Sequence, residues 1–476
     1  MTSLFRSFTA QCQLDKTLMI NFISNADLDQ QVTLEVKANL TKFIFENTTL
    51  FKTEEGWNGQ CFNGGLLFTR DDFICPHCGG ELEIHEVVVQ RLRHLCFGPE
   101  ITEIKFRRRR MKCKCCNRSV MQHLPFKADN HKITKDLENY ISDLLASNCY
   151  TIVEIADLTK VSRHIIKDID FKRLRGLYTV DGKTLIKPER QARFIAIDEF
   201  KLHDGHKFAT HIIDLETGHV LWIAKGKKKQ VVYDFIEHVG LEWMNNVQAV
   251  ACDMNSDFEE AFLEKCPHIQ IVFDFFHIVK NFNEKVVTPV RIAEQKRLID
   301  EGKVEQANSL KGSKYLLTAS RSTLRQKDEE ARSGKVVHKG SELFKTPNVT
   351  LKEGYEKRYD ELIKQNEIFF KLDWVKEALN TAKGCNDYKR LGELINEIAA
   401  FCNATENRYF QRFAKLLLSH YTGIVSRAIY HISSGKIEGF NNKVKTMRRN
   451  CYGLPDDEYF FLKVMDISRA KSRENC

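Results

Sequence analysis

The sequence predicts a multidomain α/β protein, and three observations carry that prediction. At 476 residues the chain exceeds the roughly 250–300 residues at which a single core stops growing, so it divides into modules. Two Cys-x-x-Cys pairs lie near one end, where a small metal-stapled module is expected. Between Phe194 and Asp274 strand-like runs alternate with helical ones, after which residues 285–430 are rich in Lys, Glu, Leu and Ala with few strand-like runs. A hydrophobic share of 42% beside 29% charged residues excludes wholesale disorder.

No stretch approaches the roughly 18 uninterrupted apolar residues that a membrane span needs, and the first residues lack a basic segment followed by an apolar one. The expected location is cytoplasmic, with no membrane partner. Fifteen cysteines, an odd number at irregular spacing, argue against a disulfide framework, so paired cysteines are read first as metal ligands.

Residues 1–70 form an unassigned N-terminal segment, although Trp57, Phe62, Leu66 and Phe68 point to packing against a neighbour. Next come Cys75-Pro-His-Cys78 and Cys113-Lys-Cys-Cys116. The two-residue spacing lets both sulfurs of one turn face the same ion, and two such turns supply four thiolates for tetrahedral zinc. The gap between the pairs is longer than the roughly 15–20 residues of the commonest ribbon. Two predicted strands, Glu83 to Arg93 and Glu103 to Met111, fill it. Residues 71–127 therefore read as a zinc ribbon holding structural Zn2+. Cys115 would make a poorer pair with Cys113, while His77 and His85 read better as exposed loop residues than as ligands.

Between Arg91 and Arg118 stand ten Lys or Arg residues against two Glu, including the run Arg107, Arg108, Arg109 and Arg110. Such a stretch can neutralise phosphates, or simply be a solvated basic loop. From Thr151, the positions of Ile155, Ala156, Val161, Ile166 and Ile169 match the core of a helix-turn-helix within residues 128–185, with Ser162 capping the second helix. Arg163, His164 and Lys167 would then face DNA. Lys160 stands where a turn glycine is usual, and a plain helical hairpin is the blander reading.

From Arg193 the pattern turns to strands. Phe194-Ile-Ala-Ile-Asp198 is a buried run, Lys207 to Ile213 and His219 to Ala224 flank a turn at Glu216-Thr-Gly218, and a helix is expected from Lys229 to Val239. Val247 to Asp253 and Ile269 to Asp274 are further buried strands that end in carboxylates. Strand, hairpin, helix, strand, helix, strand is the order of an RNase H-like sheet. Neighbouring strands ending in Asp198 and Asp253 bring two carboxylates together at one edge, and such clusters hold hard cations such as Mg2+. Two ions would activate the attacking oxygen and stabilise the leaving oxygen of an in-line phosphoryl transfer. A strand-end Asp taken alone is more often a solvated cap.

A third carboxylate appears in Ser433-Ser-Gly-Lys-Ile-Glu438-Gly-Phe-Asn-Asn-Lys-Val-Lys-Thr-Met-Arg-Arg449. On a helix Glu438, Asn442, Lys445 and Arg449 share one face, which suits metal and DNA backbone together, or is merely solvated.

Ala196-Ile-Asp198-Glu-Phe, Asp274-Phe-Phe-His277 and Gly435-Lys-Ile-Glu438-Gly-Phe-Asn-Asn-Lys-Val-Lys resemble the DDE transposases of bacterial insertion sequences, specifically the ISL-three family. The resemblance runs from about Cys75 to the C-terminal region. It implies that Asp198, Asp253 and Glu438 are the catalytic, metal-binding triad and that Cys75, Cys78, Cys113 and Cys116 form the zinc-binding domain. It further implies that the helix-turn-helix binds transposon ends, and that residues 285–430 are a helical insertion in a catalytic domain made of 190–284 and 431–476. The residues do not disclose a role for Asp274 and His277.

The resulting expectation is a nucleoid-associated DNA transposase that uses two Mg2+ or Mn2+ ions per active site. It would bind double-stranded terminal repeats and target DNA, and assemble as a homodimer or larger to pair two ends. Its rivals are a DNA-binding regulator or domesticated transposase whose catalytic centre is no longer used, and a nuclease that cuts without joining.

Overall fold

The computed structural model describes residues 40, 42–97, 100–203, 207–254, 256–333, 353–451 and 455–469. Expectations that fall on residues 1–39, 334–352 and 470–476 lie outside the described residues. The chain separates into two units, Met1–Thr184 and Leu185–Cys476.

In the first unit, β1 (Phe43–Lys52) pairs antiparallel with β2 (Asn58–Leu66). β2 runs parallel to β4 (Glu100–Cys113), which pairs antiparallel with the long β3 (Leu82–Phe97) and with short β5 (Ser119–Met121). The two strands expected between the cysteine pairs are thus present. Period-two alternation sends Leu92, Ile104 and Phe106 to one face, where they are buried with Phe43, Phe62, Leu124 and Phe126. Residues 43–66 therefore share a sheet with the cysteine segment. The sequence concealed this because β1, an edge strand, fully buries only Phe43 and leaves most of its residues exposed. The aromatic residues flagged in this stretch do find partners: Phe62 is buried, the Arg109 guanidinium lies 3.7 Å from the Phe68 ring centre, and Lys160 Nζ lies 3.4 Å from that of Trp57.

Three helices follow: α1 (Lys135–Ala146), α2 (Ile152–Thr159) and α3 (Arg163–Tyr178). Leu137, Ile141 and Leu145, at helical spacing on α1, close a core with Ile155, Val161, Ile166 and Ile169. Thr151 and Glu154 cap α2 reciprocally, and the Ser162 side chain accepts from the Ile165 N–H to start α3.

Lys160, between α2 and α3, has φ +54° and ψ +27°, the left-handed conformation that explains why glycine is usual at such a turn. An L-residue there costs about 1–2 kcal/mol. Its cation–π contact with Trp57 returns about 0.5–1 kcal/mol. Lys160→Gly removes both effects and Lys160→Ala only the contact, so in urea unfolding the glycine variant should be more stable than the alanine variant by about 1 kcal/mol.

His94 on β3 is buried with its Nδ1 2.8 Å from Thr134 Oγ1, the hydroxyl that caps α1. Burial holds its pKa down to about 4. The folded state keeps this imidazole neutral while the unfolded chain protonates near 6.5, so its contribution is intact above pH 6.5 and is lost as pH falls towards 4. The first unit should lose about 1.4 kcal/mol per pH unit over that window. His94→Gln, which cannot ionise, should flatten that acid limb in pH-dependent unfolding.

The second unit is built on a five-stranded sheet. β6 (Phe194–His203), β7 (Lys207–Asp214) and β8 (Val220–Lys225) form an antiparallel meander, while β9 (Ala249–Cys252) and β10 (Gln270–Phe273) add in parallel on the other side of β6. α4 (Lys229–Val239) and α5 (Ser256–Lys265) make the crossovers, and α6 (Phe275–Phe282) leaves β10. β9 is buried at every position, as its unbroken apolar run predicts for a central parallel strand.

Between β10 and Gly435 the described residues contain helices and no strand. Three of these, α7 (Glu367–Gly384), α8 (Tyr388–Ala404) and α9 (Arg408–Ser419), contribute Leu372, Ile395, Phe410 and Phe413 to the same core as Ile195, Val250 and Phe273 of the sheet. Gly423 lets the short helix Tyr421–Val425 press onto β10, since a Cβ there would sit 2.5 Å from the Phe273 ring. α10 (Gly435–Asn450) then packs on β6, and α11 (Asp457–Arg469) packs on β8.

Candidate active site and cysteine cluster

β6 and β9 lie side by side in parallel, with Ala196 opposite Ala251 as their last paired residues. Two residues further along each chain stand Asp198 and Asp253: Asp253 follows the end of β9 as expected, but Asp198 does not end its strand, since β6 runs on to His203 in its pairing with β7, and the charge of Asp253 acts on Asp198. Asp198 Oδ1 accepts the Glu199 N–H at 2.8 Å, and Oδ2 accepts from Asn441 Nδ2 at 2.7 Å. Asn441 lies on α10, three residues beyond Glu438, so the helix carrying the third carboxylate is fastened to the first.

Burial pushes the Asp198 carboxyl above its ordinary range; the Glu199 N–H and His277 oppose this, and the charge of Asp253 reinforces it. Burial also raises Asp253, but the hydrogen bond and charge of His277 outweigh it and leave the carboxyl low. His277 Nδ1 stands 3.2 Å from Asp253 Oδ1, and that bond raises the imidazole pKa. Glu199 is raised by burial, then by Asp198, Asp253 and Asp257 against the pull of Lys227. The site is thus rich in carboxylates beyond the expected pair.

Glu438, Asn442, Lys445 and Arg449 all lie on the exposed side of α10, whereas Ile437, Asn441 and Val444 face inward. Among the described residues, Glu438 is not gathered with Asp198 and Asp253 into a group tight enough to hold a metal ion. Asp274 caps α6, its Oδ1 accepting the Phe276 N–H at 2.8 Å. Its Oδ2 accepts the N–H and hydroxyl of Ser434, at 3.0 and 2.8 Å, at the start of α10.

In the first unit the Cys75, Cys78, Cys113 and Cys116 thiols lie within 4.8 Å of one another, with Cys75–Cys116 and Cys78–Cys113 sulfur distances of 3.7 and 3.5 Å. Four sulfurs about 2.3 Å from a tetrahedral zinc would stand about 3.8 Å apart, so the donor set fits that ion. The Cys116 and Cys115 N–H groups donate to Cys113 Sγ and hold its thiol pKa down, while the contact with Cys113 helps raise that of its neighbour Cys78. Cys115 is exposed and outside this group, as are His77 and His85. Gly80 admits the close turn, since a Cβ there would meet that of Cys115 at 2.7 Å.

The strand divides the arginine run instead of presenting it as one patch. Arg108 is half-buried, donating to the Gln122 carbonyl at 2.8 Å and to Gln90 at 3.1 Å; Arg109 covers Phe68, and Arg110 pairs with Glu86 at 3.0 Å. Arg107 is exposed. At the start of α3, Arg163 and His164 are exposed, with His164 3.5 Å from Asp168, and Lys167 is half-buried.

Asn441, and not the expected Asn442, is the α10 amide that reaches Asp198. The signal was present: Asn441 falls between Ile437 and Val444 at helical spacing, which marks it as an inward polar residue. Ser434 carried no such mark, because its partner is 160 residues away in sequence.

The family model of the ISL3-type DDE transposases, described as transposase, matches residues 195–464. The transposase for insertion sequence element IS1001 of Bordetella parapertussis is 27% identical over 408 residues, covering 85% of this chain and 91% of that protein. The transposase for insertion sequence element IS1557 of Mycobacterium tuberculosis is 23% identical over 266 residues, covering 55% and 57% of the two chains. The sheet and its carboxylates thus lie in a transposase domain. This chain belongs to the ISL3 family of DDE transposases.

Proposed function

We propose that the chain cuts and joins DNA strands at insertion-sequence ends, with Asp198, Asp253 and Glu438 as metal ligands in an RNase H-like catalytic domain of residues 190–284 and 431–476. The observation that carries the reading is the pair Asp198 and Asp253, with the helix of Glu438 tied to it through Asn441. The donors fit magnesium, being carboxylate oxygens, and Asn441 Oδ1 is buried there without a hydrogen-bond partner. Bound in pairs, Mg2+ would supply charge for the attacking and leaving oxygens of the phosphoryl transfer.

The protein's own groups do the rest. Asn441 orients Asp198, and His277 orients Asp253. Asn442, Lys445 and Arg449 offer an exposed polar and basic helix face to the DNA backbone. The modules 71–127, as a zinc ribbon, and 128–185, as a helix-turn-helix, dock the ends: Arg163, His164 and Lys167 approach bases, and Arg107 approaches phosphate. Residues 285–430 act as the helical insertion. Pairing two ends calls for a homodimer or larger assembly on double-stranded DNA.

A DNA-binding regulator with an unused centre is the second reading, favoured by the exposure of Glu438 away from the pair. A labelled fragment carrying the element's own end, incubated with Mg2+ or Mn2+, separates the readings. Metal-dependent nicks and joined products are expected; binding without cleavage on paired ends selects the regulator, and nicks without joining select a nuclease.

A further inference from the structure

α6 begins with a turn that reaches in two directions. From Asp274, Oδ2 takes two hydrogen bonds from Ser434, the residue before the helix of Glu438. One turn on, His277 holds Asp253 at 3.2 Å. Asp274 and His277, at i and i+3, lie on one side of a helix that enters the core through Phe275, Ile278 and Phe282. Asp253 follows a buried strand, whereas Glu438 sits on a helix that comes in the chain only after all the intervening helices. The α6 turn holds both.

We propose that the Asp274–His277 turn is the positioning element of the site: it sets where Asp253 and the base of the Glu438 helix stand relative to each other. The inference rests on the triad reading above. A ligand carboxylate held by an outer hydrogen bond keeps its orientation, and removing such a partner typically costs about 10–100-fold in metal affinity or activity. Asp274→Asn is a selective probe. One amide oxygen can serve either the Phe276 N–H or Ser434, while the amide nitrogen opposes whichever N–H group remains.

The test is Mn2+ binding to the full chain on end DNA, followed by electron paramagnetic resonance, together with hydrogen exchange at residues 434–438. Asp274→Asn and His277→Ala are expected to raise the half-saturating Mn2+ concentration about tenfold or more. Ser434→Ala, which keeps the N–H and loses only the hydroxyl, should give a smaller shift. Asp274→Asn should speed exchange at 434–438, and His277→Asn, which restores a donor, should recover most of the affinity. Unchanged thermal unfolding marks the variants as folded, and Ser434→Ala stands in should Asp274→Asn not fold. Wild-type Mn2+ affinity in folded Asp274→Asn and His277→Ala overturns the proposal. Glu438→Gln separates this from failure of the triad: if that variant loses Mn2+ while the other two keep it, only the positioning role falls, whereas wild-type binding by Glu438→Gln removes the triad itself.

Discussion

Glu438→Gln and Asp253→Asn should each lower metal-dependent strand cleavage and joining by roughly 10^3-fold or more, while binding to end DNA stays within about twofold. The size follows from the charge that ligand-held ions lend to the reacting oxygens, several kcal/mol, with each ~1.4 kcal/mol worth tenfold in rate. Both substitutions keep size and shape and remove one negative charge. Asp253 loses more than a ligand: the amide no longer attracts His277, whose imidazole is raised mainly by that carboxylate. Glu438 is exposed, so its loss should leave thermal unfolding unchanged. Gel assays on a labelled end, with filter binding on the same samples, read both quantities. Retained cleavage in Glu438→Gln would remove this residue from the triad.

Removal of zinc should have the second large effect, and on a different step. Structural Zn2+ contributes on the order of 10 kcal/mol to the folding of small cysteine modules. Besides a metal, the four cysteines are held by two sulfur–sulfur contacts, the N–H groups that donate to Cys113 Sγ, a few turn hydrogen bonds and a small cluster with Leu82 and Met111. Chelation, or Cys113→Ser, should therefore loosen the ends of β3 and β4. The expected results are release of one zinc per chain and loss of end binding by about 100-fold. The separate core of unit 2 should keep its own unfolding transition. Cys115→Ser should retain the metal, because that side chain stays outside the cluster. Zinc content by mass spectrometry, beside a mobility-shift titration, decides the matter; full end binding by metal-free protein would contradict it.

Much of this was legible in the residues because the signals were local. The apolar runs leading to Asp198 and Asp253 are short, and the structure makes them neighbouring strands, although β6 continues past Asp198 to His203. The cysteine pairs carried their own spacing, and both intervening strands followed. What stayed hidden depended on distant pairing or on facing. β1 leaves most of its residues exposed and finds its place only through β2. The arginine run looked like one basic patch, but strand alternation turns Arg108 inward to Gln122. Asp274 and His277 were recognisable as a motif, yet their partners, Ser434 and Asp253, are set by tertiary structure alone. Lys160 is the opposite case: an oddity in the sequence that the left-handed turn accounts for at once.

In the proposed mechanism three carboxylates, from β6, from the end of β9 and from one distant helix, hold the ions that drive strand transfer. Anomalous diffraction from Mn2+ in crystals of the protein bound to its end DNA tests this most directly. Two manganese peaks are expected, with Asp198, Asp253 and Glu438 oxygens among their ligands, and both should be lost in Glu438→Gln. Peaks that never engage Glu438, or no peak beside Asp198 and Asp253 with DNA in place, would contradict it.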